Sequence, residues 1–128
     1  MYLQNQIEVE NMVIQEIKGE DHIVQYDPES VTICFQGELS LGGPVEYKPI
    51  KDLLEEVTAT EPTIMTLNLR SLSFLNSSGI SLLSKFVMGL RKRPNIQLII
   101  LGSKEVAWQD KSLQNLKKFL PSLELKVE

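Results

Sequence analysis

The sequence predicts an α/β fold in which a mixed, mostly parallel sheet packs against helices. The first observation is that, after an initial hairpin, strand and helix patterns alternate in the order β-β-α-β-α-β-α-β. Strands separated by helices pair in parallel through crossover connections. The second is that 128 residues with 42% hydrophobic content suffice for one core and are short for two. We expect a single domain over residues 21–128, with residues 1–20 as an N-terminal extension or an edge strand.

A β-hairpin is predicted at the start of the domain. Residues 22–26 and 31–39 are rich in β-branched and aromatic side chains, and residues 27–30 supply turn chemistry between them. The glycines and the proline of residues 37–44 then break regular structure and mark an exposed connection. A helix that ends before Pro62 comes next. Its apolar residues recur three or four positions apart, at Ile50, Leu53, Leu54 and Val57.

The rest of the chain repeats a pattern of strand and helix. Residues 63–69 have strand character, and residues 79–93 carry a helical stripe that Pro94 ends. The stripe consists of Ile80, Leu83, Val87 and Leu90, widened by Leu82 and Phe86. Residues 96–101 form a nearly continuous apolar run, as expected for a central strand covered on both faces. Residues 123–127 alternate like a final strand. The helix before them has its apolar positions at Leu113, Leu116 and Leu120.

The charge and hydropathy patterns argue against several function classes. The net charge is −4, and the thirteen Lys and Arg residues are scattered apart from residues 91–93 and 117–118. This disfavours nucleic acid as a partner. The N-terminus lacks a basic region followed by an apolar stretch, and no apolar run is long enough to span a bilayer. We therefore expect a soluble, cytoplasmic protein that does not bind membranes.

Catalytic and metal-binding patterns are also missing. Cys34 is the single cysteine, so it forms no internal disulfide, and its strand context predicts a small buried apolar side chain. The single histidine, His22, lies far from it without metal-ligand spacing, so neither a metal nor a cofactor is expected. Ser77 lacks the Gly-x-Ser-x-Gly elbow of a hydrolase, and no phosphate-binding loop is present. Trp108 is expected to be a packing residue. The sequence therefore predicts a protein that is not an enzyme.

Residues 72–80 are the most informative stretch of the chain. They lie between a strand pattern and an amphipathic helix pattern, and they place Ser77 and Ser78 at a helix N-terminus. A hydroxyl there can cap the helix, and an added phosphate is well tolerated because free N–H groups and the positive end of the helix dipole face it. Asn76 is an equally good cap. From the residues alone, capping and a phosphate-dependent charge switch both remain open.

The six residues Phe74-Leu75-Asn76-Ser77-Ser78-Gly79 resemble the Phe-Leu-Asp-Ser-Ser-Gly turn of the STAS domain of bacterial anti-sigma factor antagonists. The strand end Gly37-Glu38-Leu39 is similar to that family's Gly-Glu-Leu strand end, so the likeness extends from about residue 21 onward. The resemblance implies a STAS-like fold. It also implies a non-catalytic regulator that works by partner switching in signal transduction and transcription regulation.

In that family, a serine kinase that doubles as an anti-sigma factor phosphorylates the antagonist, and a PPM-type phosphatase restores it. By position, the resemblance implies Ser77 as the phosphoacceptor, with Ser78 as the second candidate. Asn76 stands where the family commonly has Asp. The expected partner-binding surface comprises Ser73, Asn76, Ser77, Ser78, Gly79, Ser81, Ser84, Lys85 and Met88.

An alternative hypothesis is a STAS-like scaffold or ligand-sensing module that is never phosphorylated, in which Asn76 marks the loss of the switch. The sequence leaves open which kinase and phosphatase act, whether a sigma factor lies downstream, and whether the protein forms a homodimer.

Overall fold

The computed structural model describes residues 15–128, and within them it has six strands and three α-helices. The strands are β1 (Gln15–Lys18), β2 (His22–Asp27), β3 (Thr32–Leu39), β4 (Ile64–Leu75), β5 (Gln97–Gly102) and β6 (Glu124–Val127). The helices are α1 (Pro44–Ala59), α2 (Ser77–Gly89) and α3 (Gln109–Phe119), and a short 3-10 turn (Leu90–Lys92) follows α2. None of these helices is long and apolar enough to cross a membrane.

The six strands form one sheet in the order β1-β2-β3-β4-β5-β6. β1, β2 and β3 pair antiparallel, whereas β3, β4, β5 and β6 pair in parallel. The predicted mixed, mostly parallel sheet is confirmed, together with the order of its elements. β1 is an edge strand and comes from the segment up to residue 20; residues 1–14 of that segment lie outside the described residues.

All three helices cover the same face of the sheet. Each crossover from β3 to β6 moves one strand in the same direction, and right-handed crossovers of this kind place their helices on one side. Burial along the strands alternates accordingly. On β5, Leu98 and Ile100 are fully buried towards the helices, whereas Ile99 and Leu101 are only half-buried on the second face.

The expectation that residues 96–101 are covered on both faces is therefore wrong for the second face. An apolar run shows that a strand is hydrophobic on both sides, but it does not show how many sides are packed. Cys34 belongs to this second face, 3.8 Å from the Asn68 Nδ2, and is half-buried rather than fully buried. The part of the chain that the structure describes contains no cluster of three or more His, Cys, Asp and Glu side chains that suits a metal ion.

β4 is longer than the predicted strand over residues 63–69, because it continues to Leu75. Its strict alternation of buried and exposed residues ends at Arg70 and Ser71, both exposed, and the pairing with β3 shifts register twice there. Gly37 makes the second shift possible. Its φ of +91° lies in the left-handed region, and a Cβ on it would collide with the backbone oxygen of Asp21.

Gln109 fixes this irregular part of β4 from the other side. The side chain is fully buried, and its Nε2 donates to the backbone oxygens of Leu69 at 2.6 Å and Leu72 at 3.0 Å. Its Oε1 accepts a hydrogen bond from the backbone N–H of Ser103 at 2.8 Å. Trp108 packs against the core, as expected, and its indole N–H also donates to Leu72 at 3.0 Å. The start of α3 therefore holds the second half of β4 in place.

The substitution Gln109→Leu is expected to lower the free energy of unfolding by about 2–3 kcal/mol, because it leaves the carbonyls of Leu69 and Leu72 and the N–H of Ser103 buried without their partner. The control is Gln114→Leu on the exposed side of the same helix, with an expected change within about 0.5 kcal/mol. Urea unfolding measures both. Equal effects of the two substitutions would contradict the structural role of Gln109.

Candidate functional site

The candidate site lies where β4 ends and α2 begins, and Asn76 is the residue between them. Its backbone is extended (φ −78°, ψ 176°), and its Oδ1 accepts a hydrogen bond from the backbone N–H of Gly79 at 3.0 Å. Its backbone oxygen accepts the first helical hydrogen bond, from Ile80, at 2.9 Å. Of the three cap residues suggested by the sequence, Asn76 is therefore the one that caps α2.

The Asn76 side chain also joins α2 to α1 and to the loop before α1. Its Oδ1 accepts a second hydrogen bond, from the Tyr47 hydroxyl, at 2.6 Å. Its Nδ2 donates to the backbone oxygen of Leu41 at 2.8 Å, and its backbone N–H donates to Leu39 at 3.0 Å. An ionised aspartate has no donor to offer the Leu41 oxygen. This hydrogen bond therefore explains why an asparagine rather than an aspartate suits this position in the chain.

Tyr47 was missed as a site residue, although its place on the apolar stripe of α1, three residues before Ile50, is visible in the sequence. The side chain is buried, with 2% of its surface exposed. Burial raises the pKa of its phenol above the ordinary value of 10.0, and a hydrogen bond with the Leu41 backbone opposes this shift. The phenol is therefore neutral at physiological pH and donates a hydrogen bond to the Asn76 Oδ1.

Ser77 has no structural task in the described part of the chain. It is exposed at the first position of α2, and its hydroxyl makes no hydrogen bond to any residue within 15–128. The N–H groups of the first helical turn point out of the helix end, and this turn of α2 contains no acidic side chain. Ser78 is half-buried and faces α1 instead. The site thus presents a free hydroxyl at the positive end of a helix.

Most of the predicted partner-binding residues share one surface. Ser77, Ser81, Ser84, Lys85 and Met88 fall within an arc of about 100° on α2, given about 100° of rotation per residue. Ser81, Lys85 and Met88 are exposed, and Ser84 is half-buried. Ser73 is exposed on β4, where its hydroxyl donates to the backbone oxygen of Gly37 at 3.0 Å. Next to it, the Phe74 side chain is 47% exposed.

Two residues of this set are less accessible than the others. Gly79 is buried, and a Cβ on it would lie 2.7 Å from the Tyr47 hydroxyl and would collide with Leu75. Because it has no side chain, Gly79 lets α2 start close to β4 and α1. Asn76 is half-buried and its side-chain hydrogen bonds are all internal. A single sequence shows a matching motif, but it does not show which motif residues face inward.

The comparisons with known proteins bear on the fold. No family model matches the sequence, and no curated protein sequence matches it. SiaC of Pseudomonas aeruginosa has a similar structure, with a TM-score of 0.68 and 17% sequence identity over 91% of this chain and 98% of SiaC. A chain of the P. aeruginosa complex between the diguanylate cyclase SiaD and its activator SiaC gives a TM-score of 0.69 at 15% identity, over 89% of this chain and 99% of that chain.

A third similar structure is an anti-sigma factor antagonist from Mycobacterium paratuberculosis, with a TM-score of 0.51 and 16% identity over 88% of this chain and 84% of that chain. At these identities the likeness establishes the fold. The chain has the STAS-like fold of anti-sigma factor antagonists, as residues 74–79 predicted. Within this fold, the chain matches SiaC over nearly the whole length of SiaC.

The substitution Asn76→Ala is expected to lower the free energy of unfolding by about 2–3 kcal/mol, since it removes a helix cap and the partners of Tyr47 and Leu41. Ser77→Ala and the exposed control Asn115→Ala should each stay within about 0.5 kcal/mol. Thermal or urea unfolding compares the three variants. A loss for Ser77→Ala as large as that for Asn76→Ala would assign the cap to the serine.

Stability at alkaline pH gives a second test of the Tyr47 environment. The folded protein has a raised Tyr47 pKa, so above pH 10.0 the unfolded chain loses this proton first and the free energy of unfolding falls as the pH rises. Two other groups act in the same direction, because burial also raises the pKa of Tyr26 and the hydrogen bond with Asp52 raises the pKa of Lys48. Urea unfolding across this range should show a shallower decline for Tyr47→Phe. A decline identical to that of the unsubstituted protein would contradict the buried phenol.

Proposed function

We propose that this chain is a non-catalytic signalling regulator of the cytoplasm that exchanges protein partners when Ser77 is phosphorylated and dephosphorylated. The observation that carries the proposal is the division of tasks at the start of α2. Asn76 supplies the cap, so the exposed Ser77 hydroxyl is free of structural use. A modification of Ser77 therefore changes the surface without removing a contact that the fold needs.

The charge of a phosphate suits this position. A phosphoserine carries about −1.5 to −2 charges and three acceptor oxygens, and the unpaired N–H groups and the helix dipole of α2 stabilise negative charge there. In a docked complex the same dianion is desolvated against the partner, and an uncompensated charge at an interface costs several kcal/mol. Phosphorylation at Ser77 is thus expected to release a partner while the chain stays folded.

The similar structures support a protein as the partner. SiaC is named as the activator of the diguanylate cyclase SiaD, and another similar structure is an anti-sigma factor antagonist. For this chain we propose a serine kinase of the anti-sigma factor type as the phosphorylating partner and a PPM-type phosphatase as its counterpart. The protein controlled by the unphosphorylated form is then either a sigma-factor regulator or an enzyme.

A second candidate function is a scaffold that is never phosphorylated, favoured by the amide at Asn76 in place of an acid. The structure explains the amide independently of phosphorylation, because its Nδ2 donates a hydrogen bond to the Leu41 backbone oxygen. An asparagine at this position is therefore compatible with a working switch, and the two candidates differ in whether Ser77 accepts a phosphate.

The test is phosphorylation by serine kinases from the protein's own source, followed by intact-mass and fragment mass spectrometry. We expect one added phosphate, located on Ser77, because this hydroxyl is exposed and Ser78 is half-buried. The phosphate should be lost in Ser77→Ala and kept in Ser78→Ala. Addition of a PPM-type phosphatase should remove it.

A phosphate that persists in Ser77→Ala and disappears in Ser78→Ala would move the acceptor to Ser78. No phosphate with any kinase of that source would favour the scaffold over the switch.

A further inference from the structure

A groove of about 690 Å³ lies between α1 and α2, next to the Ser77 site. Its apolar wall comes from Val45 and Leu54 on α1 and from Leu82 and Phe86 on α2. Val45 is 85% exposed, and Leu82 and Phe86 are only half-buried. The two helices therefore leave an apolar surface uncovered within the described part of the chain.

The rim of the groove is basic. Lys48 and Lys51 on α1 and Lys85 on α2 line it together with one acidic residue, Glu55, which leaves a local charge of +2 on a chain whose net charge is −4. Lys48 pairs with Asp52 at 2.7 Å and Lys51 with Glu55 at 3.4 Å, but both pairs are exposed and such pairs contribute little. Lys85 has no ion pair within residues 15–128. The lysines are thus available to an acidic partner.

The dimensions of the groove suit a helix. Its lining residues extend from 44 to 55 on α1 and from 78 to 86 on α2, which corresponds to about 16 Å and about 12 Å at 1.5 Å per residue. A helix that uses anchors at positions i, i+4 and i+7 needs about 10 Å of groove. Two to three turns of a third helix, laid over α1 and α2, therefore match the length of the groove.

We propose that this groove receives an amphipathic helix of the partner protein. The helix lies over α1 and α2 with its apolar side chains in the groove, and its flanking acidic residues face Lys48, Lys51 and Lys85. The inference rests on the proposed function, since this partner is the one that phosphorylation displaces. The main docking surface in this proposal is the side of α2 that faces α1 rather than its outer side.

The position of Ser77 explains how its phosphate acts on the groove. Ser77, Ser81 and Lys85 follow one another at intervals of four residues, so they lie along one line of α2. Ser81 and Lys85 line the groove, and Ser77 lies one turn before Ser81 at its end. A phosphate there repels the acidic residues of the partner helix and competes with them for the same lysines.

The proposal is tested with two synthetic helical peptides. Both carry leucines at positions i, i+4 and i+7; one has glutamates beside them and the other has lysines at the same places. Fluorescence polarisation measures their affinity for the full chain. The acidic peptide is expected to bind and to shift the amide resonances of Val45, Ser81 and Lys85, and the basic peptide should not bind.

Charge reversal provides the matched comparison. Lys85→Glu is expected to lower the affinity for the acidic peptide about tenfold, whereas Lys111→Glu on the exposed side of α3 should leave this affinity unchanged. Val45→Asp should also weaken binding, and because this side chain is 85% exposed the variant is expected to fold. Circular dichroism and the melting temperature verify that each variant is folded.

Four results would overturn the proposal. Equal affinity for the two peptides would show non-specific apolar binding, and resonance shifts confined to Ser84 and Met88 would place the docking surface on the outer side of α2. Displacement of the acidic peptide by decanoate, with decanoate alone shifting the groove resonances, would assign the groove to a small amphiphile. If the amide resonances of Val45, Ser81 and Lys85 shift with protein concentration alone, the groove binds a second copy of the chain.

The outcomes for the groove and for the switch can be told apart. Peptide binding that depends on Lys85, in a protein whose Ser77 accepts no phosphate, would retain the groove and reject the switch. A phosphorylated Ser77 together with peptide binding unaffected by Lys85→Glu would retain the switch and reject the groove. If both hold, phosphorylated protein should bind the acidic peptide about tenfold more weakly than unmodified protein.

Discussion

The arrangement of α1, α2 and the end of β4 depends on one side chain, the carboxamide of Asn76. Its oxygen accepts from Gly79 and from Tyr47, and its nitrogen donates to Leu41, so one group satisfies a helix end, a buried phenol and a loop carbonyl. All three partners are polar groups that are costly to leave unpaired in a protein interior. An amide serves all of them because it is both a donor and an acceptor, whereas a carboxylate is only an acceptor.

This constraint separates two roles that the sequence could not separate. A helix start needs one capping side chain, and three adjacent candidates for it occur here. Because Asn76 takes the cap, Ser77 can carry a phosphate without unfolding the first turn. Tyr47 adds to the separation, since its hydroxyl keeps the amide in the orientation that caps α2. A switch built in this way changes charge at the surface and leaves the interior as it was.

Hydrophobic periodicity was enough to predict the order of strands and helices, because core-facing residues of each element follow its period. It failed at the second half of β4. There the consecutive exposed residues Arg70 and Ser71 break the alternation, and pairing depends on Gly37 and on Gln109, which are distant in sequence. It also failed for the second face of β5, since Ile99 and Leu101 are apolar without being packed by a helix. At the site, the sequence pattern placed Ser77 at a helix N-terminus, but only the fold shows that Gly79 is buried.

The same geometry links the groove to the start of α2. The Tyr47–Asn76 hydrogen bond joins α1 to the residue between β4 and α2, and Tyr47 also lines the groove together with Pro44 and Ser78. In the proposed complex, a partner helix lies next to Ser77, whose phosphorylation changes the charge at that end of the groove. Because the charges of the groove lysines are exposed, salt screens their attraction to an acidic partner, whereas it does not weaken apolar contact with Val45 and Phe86. In the proposed switch, the phosphate acts on the electrostatic part of the binding energy, and the apolar part remains as a basis for rebinding once the phosphate is removed.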